Sequence, residues 1–238
     1  MPRLVAIGDI HGCARTLRAL LEKVMPQKDD TLVFLGDYID RGPDSKGVVD
    51  CLMGLQTEGY RTVFLRGNHE QTLLDAIDAE KSLKKGLFSR PRNAVLESWL
   101  TQFGGRQTLD SYGINHIKQL PEAHERWYRR LDWYHTTEHF YFVHAGFDFS
   151  GPDILADREA MLWIREFDYD AEKAGNRKVV HGHVPVQLDF LKECLALPNL
   201  GFIPLDTGCI YKERPGMGYL SAMDLTNNVL FSVKNIDT

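Results

Sequence analysis

Leu32-Val33-Phe34-Leu35-Gly36-Asp37-Tyr38-Ile39-Asp40-Arg41-Gly42 is the stretch on which the fold turns. Its apolar start reads as a buried strand. Glycine, two aspartates and an arginine follow at once, with no spacer. In α/β sheets, ligands bind just beyond the carboxyl ends of strands. The same pattern recurs on both sides. Residues 4–7 run into Gly8-Asp9-Ile10-His11-Gly12, and 62–65 lead to Gly67-Asn68-His69-Glu70. Residues 140–143 run into His144-Ala145-Gly146, and 178–180 into His181-Gly182-His183. Five strand ends can thus converge on one site, and the glycines allow the sharp turns this needs.

Further strands are expected at 202–205, and at 219–223 and 229–233 around a turn at Asn227-Asn228. Apolar spacing predicts helices over 14–24, 45–57, 70–79, 94–103, 122–131 and 157–166. Pro43-Asp44-Ser45 has the form of a helix start. Strands alternating with helices predict an α/β layered fold, its central sheets mixed and flanked by helices. Residues 81–135 carry no strand signal but contain Pro91, Gly104-Gly105 and Pro121. They read as a helical insertion within a single domain spanning 1–238.

The chain has 238 residues, 28 Lys plus Arg and 33 Asp plus Glu, for a net charge of −5. That balance gives no general attraction to nucleic acid or to an anionic membrane. No run approaches the ~20 apolar residues of a membrane helix, and the first twelve read as a strand rather than a signal peptide. Cys13, Cys51, Cys194 and Cys209 form no Cys-x-x-Cys pair. This disfavours a thiolate zinc site and a secreted disulfide framework, so a reducing cytoplasm is the expected compartment.

Carboxylates, imidazoles and one amide oxygen, without sulfur, suit divalent Mn, Fe or Zn. Asp9 and His11 lie two apart, so both can face one ion as strand gives way to loop. The Asp37 carboxylate has two oxygens and can bridge two ions. Asn68 would add a neutral oxygen.

Taken together, these clusters resemble the calcineurin-like metallophosphoesterase superfamily. The Gly36–Gly42 string and Arg66-Gly67-Asn68-His69-Glu70 are similar to its phosphoprotein phosphatase branch. His144-Ala145-Gly146 and Gly182-His183-Val184-Pro185 resemble bacterial and phage members, bacteriophage lambda phosphatase and the symmetrical diadenosine tetraphosphate hydrolases among them. Weaker likeness continues through Leu205-Asp206-Thr207-Gly208. The resemblance implies two divalent ions per chain, manganese first. Asp9, His11 and Asp37 would hold one; Asp37, Asn68, His144 and His183 would hold the other. His181 becomes a neighbour at the strand end. Pro185 stands where the wider superfamily often has a further ligand.

The resemblance also makes His69 the donor of a proton to the leaving oxygen, with Asp40 orienting it. Arg41 would face the phosphate, and Arg165, in Leu162-Trp163-Ile164-Arg165, would complete the clamp. Read alone, Asp40 also fits a turn carboxylate and Arg165 a solvated arginine on a helix face. Arg66 is expected to brace its loop. Trp127, Tyr128, Trp133 and Tyr134 fit either core packing or stacking on adenine. The implied activity is metal-dependent hydrolysis of phosphate monoesters, foremost by a protein serine/threonine phosphatase. Symmetrical diadenosine tetraphosphate hydrolysis is the alternative, and an inactive binding scaffold a third. Partners are then a phosphoprotein or a small phosphorylated substrate.

Overall fold

Alternation along the strands sets the layers. In the computed structural model, which describes residues 1–83 and 92–237, β1 (Leu4–Ile7) turns Val5 and Ile7 one way and Ala6 the other. Helix α1 (Ala14–Val24) follows, with Leu17, Leu20 and Val24 on its buried stripe. Next come β2 (Thr31–Phe34), α2 (Ser45–Thr57), β3 (Arg61–Phe64) and α3 (Asn68–Ser82). As expected from Pro43-Asp44-Ser45, the Asp44 carboxylate caps α2, accepting from Gly47 N at 2.7 Å.

The segment before the second sheet contains α4 (Ala94–Ser98), one wide π-type turn (Trp99–Phe103) and α5 (Gly105–Tyr112). A short 3₁₀ turn (Ile117–Gln119) and α6 (Glu122–Arg129) complete it. Residues 84–91 of this segment, with Pro91, lie outside the described residues. The second sheet is built from β4 (Tyr134–Thr136), β5 (Phe140–Val143), β6 (Lys178–His181) and β7 (Phe202–Pro204), with α7 (Arg158–Trp163) and α8 (Leu188–Ala196) between strands. The chain returns to the first sheet through β8 (Tyr219–Asp224) and β9 (Val229–Lys234).

The first sheet has the order β3-β2-β1-β8-β9 and the second β4-β5-β6-β7. Strands β1, β2 and β3 are mutually parallel, as are β5, β6 and β7; β8, β9 and β4 pair antiparallel. Ala6, Val33 and Leu35 pack against Phe142, Val180 and Ile203, so the two sheets lie face to face. Val5, Ile7, Leu32 and Phe34 face the helices instead, in a core shared with Leu17, Leu52, Leu74 and Tyr128. Each fully buried leucine of this kind stabilises the fold by about 1.5–3 kcal/mol. Both parallel sets end on the same side, which brings their loops together. Among the described residues, no helix is long and apolar enough to cross a membrane.

Three expectations need correction. The 81–135 segment is not free of strand: Tyr134 opens β4, which pairs with β5 in the register Tyr134↔Val143. This three-residue edge strand is half-exposed and polar, so no apolar run announces it. The helix expected over 94–103 changes at Trp99 into the wider turn, and Gly104, at φ +89°, separates it from α5. The helix expected over 157–166 stops at Trp163 because Ile164 is extended, with ψ 134°.

Candidate active site

The loops that follow the parallel strands are held in unusual backbone conformations. Among the described residues, eight other than glycine have positive φ, and five of them are His11, Asp37, Asp40, Arg41 and His183. Each such residue costs on the order of 1–3 kcal/mol and persists only where its surroundings hold it. Buried Glu70 does much of the holding. Its Oε2 accepts from Asp37 N at 2.9 Å and Gly67 N at 3.0 Å, and its Oε1 from Tyr38 N at 2.8 Å and Ile39 N at 3.3 Å. The Tyr38 hydroxyl ties the same loop to Leu65 O at 2.7 Å. Gly36, at φ +109°, is required on a second count: a Cβ there would stand 2.7 Å from Gly67 N and 2.9 Å from His144 Nδ1. Glu70→Gln should destabilise the fold by about 1–3 kcal/mol, since an NH₂ group would then face N–H donors. Urea denaturation checks this, and an unchanged midpoint would refute the clamp.

Asp37 sits at the centre. Its Oδ2 is 3.5 Å from His11 Nε2 and 3.9 Å from His69 Nε2, and its Oδ1 is 3.4 Å from His144 Nε2. The Asn68 oxygen lies 3.0 Å from His144 Nε2 and 3.1 Å from His183 Nδ1. Asp9 Oδ2 accepts from His183 N at 3.0 Å. Two groups of donor atoms result, each within 4.8 Å: His11, Asp37 and His69, and Asp37, His144 and His183.

These residues suit divalent cations. Asp9 Oδ1, His69 Nε2 and His183 Nε2 are buried with no hydrogen-bond partner. The first is a carboxylate oxygen with free lone pairs. Carbonyls fix two tautomers: His11 Nδ1 donates to Ile39 O and His144 Nδ1 to Leu35 O, both at 3.0 Å. That leaves each Nε2 with a lone pair aimed inward, the usual arrangement behind a metal-ligating histidine. Burial pushes His11 and His144 down, and takes His183 to about 3 with His144 adding to it, so these imidazoles are neutral as ligation requires. Burial, with Asp206 and Asp37 nearby, pushes Asp9 well up. Burial, with Asp37 adding to it, takes Asp206 to about 7. Three carboxyls crowded in a buried site beside one arginine repel one another when ionised, which is the condition a bound cation would relieve.

His69 faces this site and turns its other nitrogen to Asp40, Nδ1 to Oδ2 at 2.8 Å, with both side chains buried. Burial alone would lower the His69 pKa, but Asp37 and the bond to Asp40 outweigh it and the net shift is upward. Arg41 lies across the mouth, its Nη1 2.9 Å from His11 Nε2 and 3.3 Å from the Tyr211 hydroxyl.

The fold therefore brings together Asp9, His11, Asp37, Asn68, His144 and His183, with His69, Asp40 and Arg41 around them. It does not bring Arg165 into this cluster. Arg165 is exposed beyond the end of α7, close enough for its charge to lower His183 further. His181 packs against the rings of Phe167 and Phe202 at 5.4 and 6.0 Å. Arg66 bonds Gln71 and the Arg129 carbonyl, bracing its loop. Trp127 is buried against Tyr38 and Phe64, and Tyr128 against Trp127 with its hydroxyl 2.9 Å from that of Tyr112, while the Trp133 ring has the guanidinium groups of Arg66 and Arg158 at 4.7 and 4.8 Å. The loop-holding of Glu70 and the nearness of Tyr211 to Arg41 carry no local sequence signal. Asp206 had a signal, since Leu205-Asp206-Thr207-Gly208 is a sixth strand end of the same form.

Known proteins are similar to this chain in sequence or in fold. Serine/threonine-protein phosphatase 1 of Salmonella typhimurium is 47% identical over 77 residues, 32% of this chain and 33% of that protein. The symmetrical bis(5'-nucleosyl)-tetraphosphatase of Burkholderia thailandensis is 37% identical over 82 residues, 34% of this chain and 28% of that protein. The chain thus spans about a third of the length of the curated relatives it matches. A crystal structure provisionally named a diadenosine tetraphosphatase has the same fold, with a TM-score of 0.64 at 23% identity over 98% of this chain and 95% of that one. The profile of calcineurin-like phosphoesterases matches residues 2–211, a span that takes in every strand end gathered here, and the chain belongs to that family.

Proposed function

We propose that this chain hydrolyses phosphate monoesters, with phosphoserine and phosphothreonine in proteins as its substrates. One observation carries the reading: Asp37 belongs to both groups of donor atoms, so a single carboxylate can serve two ions side by side. Asp9, His11 and Asp37 would hold one divalent ion, and Asp37, Asn68, His144 and His183 the other. Bound there, such ions supply Lewis acidity, lowering the pKa of water from about 15.7 toward neutrality and offsetting phosphoryl charge. Arg41 binds phosphoryl oxygens, its planar guanidinium fork matching them. His69 gives its Nε2 proton to the leaving oxygen, and Asp40 holds the ring by Nδ1. Arg165, at the rim, meets the substrate outside the phosphate.

The surroundings favour a protein substrate. The ring of Trp163 stands 6.2 Å from that of His183 and borders a groove lined by Asp148, Asp157 and Glu159. A dinucleoside tetraphosphate is a polyanion and would enter against this charge. A peptide phosphorylated at one residue carries less negative charge along its length. The relatives' names support both readings, serine/threonine phosphatase and symmetrical tetraphosphatase.

Two measurements test the proposal. Protein freed of metal by EDTA should be inactive, and Mn should restore activity together with two ions per chain by elemental analysis; full activity in chelator refutes the reading, and a chain that binds no ions would be a scaffold. With Mn loaded, kcat/KM should be higher for phosphoserine peptides than for diadenosine tetraphosphate. The opposite order transfers the site to the tetraphosphatase reading.

A further inference from the structure

The Asp40–His69 pair is not self-supporting. The described residues between β3 and β4 hold it, and they do so at several points. Asp40 Oδ2 accepts from His69 at 2.8 Å and also from Trp99 Nε1 at 2.9 Å. Its Oδ1 accepts from the Thr108 hydroxyl at 2.6 Å. Thr108 Oγ1 in turn accepts from Asp40 N at 3.0 Å, and Ser45 Oγ lies 3.0 Å from both Asp40 N and Thr108 Oγ1. All of these side chains are essentially closed to solvent.

The local backbone is shaped for these contacts. The wide turn Trp99–Phe103 places Trp99 on Asp40 and the Phe103 ring edge-on to His69 at 5.3 Å. Such π-type turns occur often at functional sites. A Cβ on Gly105 would run into the Trp99 indole. The residue before it, Gly104, is left-handed and offers its carbonyl to Arg41 N at 3.4 Å. The glycine pair thus gives the indole its room and ties the turn to the arginine loop.

We infer that Trp99 and Thr108 are positioning residues: by donating to both oxygens of Asp40 they fix the carboxylate that aims His69 Nε2 at the leaving oxygen. The inference rests on the phosphomonoester reading above. Without these donors Asp40 could rotate, and a buried carboxylate would lack partners. His69 would then be held at one nitrogen by a mobile group. The step affected is the passage of the His69 Nε2 proton to the ester oxygen as its bond to phosphorus breaks. An alkoxide leaving from phosphoserine needs that proton, whereas p-nitrophenolate leaves readily without it.

The test compares a phosphoserine peptide with p-nitrophenyl phosphate, using full-length Mn-loaded protein. Thr108→Val keeps shape and removes the hydroxyl; Trp99→Phe keeps a ring and removes the N–H. Each should lower kcat on the phosphoserine peptide roughly tenfold, the order seen when an outer partner of a functional histidine is lost. The loss on p-nitrophenyl phosphate should be much smaller, with metal content unchanged. Thr108→Ser, which keeps a hydroxyl, should recover most of the phosphoserine rate. Adding Thr108→Val to His69→Asn should cost little more, because the two act through one group. Equal losses on both substrates, or no loss on either, overturn the inference. If Trp99→Phe does not fold by circular dichroism, the Thr108 variants decide alone. If His69→Asn itself shows no dependence on the leaving group, the phosphomonoester reading fails first, and the two failures are distinct.

Discussion

His69→Asn lowers kcat on a phosphoserine peptide by roughly 10²–10⁴, the usual worth of a positioned general acid, and both ions stay bound. The reasoning is geometric. His69 Nδ1 is occupied by Asp40, and Nε2 is buried, unpaired and turned toward Asp37. An asparagine keeps a polar side chain but has no transferable proton. The rival assignment is open to the same measurement, because His69 also belongs to one of the two groups of donor atoms. Were it a ligand, His69→Asn would strip metal. Elemental analysis beside kinetics separates these cases, and a collapse of metal content would end the proton-donor role.

Asp37→Asn has the second large effect: both ions weaken together, and activity falls with them. The Asp37 oxygens face His11 and His69 on one side and His144 on the other. Burial alone would raise this carboxyl, yet its net shift is downward, with His69, itself shifted upward, beside it. An amide there removes the carboxylate charge and turns an NH₂ group toward one side. Titration by calorimetry should show two weakened sites. Loss of a single ion, with the other bound as in the parent, would exclude a shared carboxylate.

The five strand ends were legible because their signal is local. An apolar run of four or so residues, then glycine and a ligand-type residue, is visible without knowing what lies across the sheet. The same locality explains what was not read. Trp99 reaches Asp40 from 59 positions away, and periodicity alone places tryptophan only on a buried face. Glu70 was read with its cluster, but that its carboxylate gathers four N–H groups from two loops follows only from the fold. Strand β4 escaped notice because Tyr134-His135-Thr136 is a short polar edge whose identity comes from its partner. Arg165 was placed on a helix that ends two residues sooner, at Trp163. Helix α8, over Leu188–Ala196, is short and buries only Leu191 and Cys194, too few apolar positions to set a helical period.

The two sheets do not contribute alike to the centre. Asp9, His11, Asp37 and Asn68 come from ends in one sheet, His144 and His183 from ends in the other. Of the two proposed ions, the one held by Asp37, Asn68, His144 and His183 would span both sheets, so its occupancy and sheet docking would be one linked equilibrium. Free ligand at a hundred times its Kd adds about 2.7 kcal/mol per site against unfolding. A catalytic centre so placed is also a fastener for the fold.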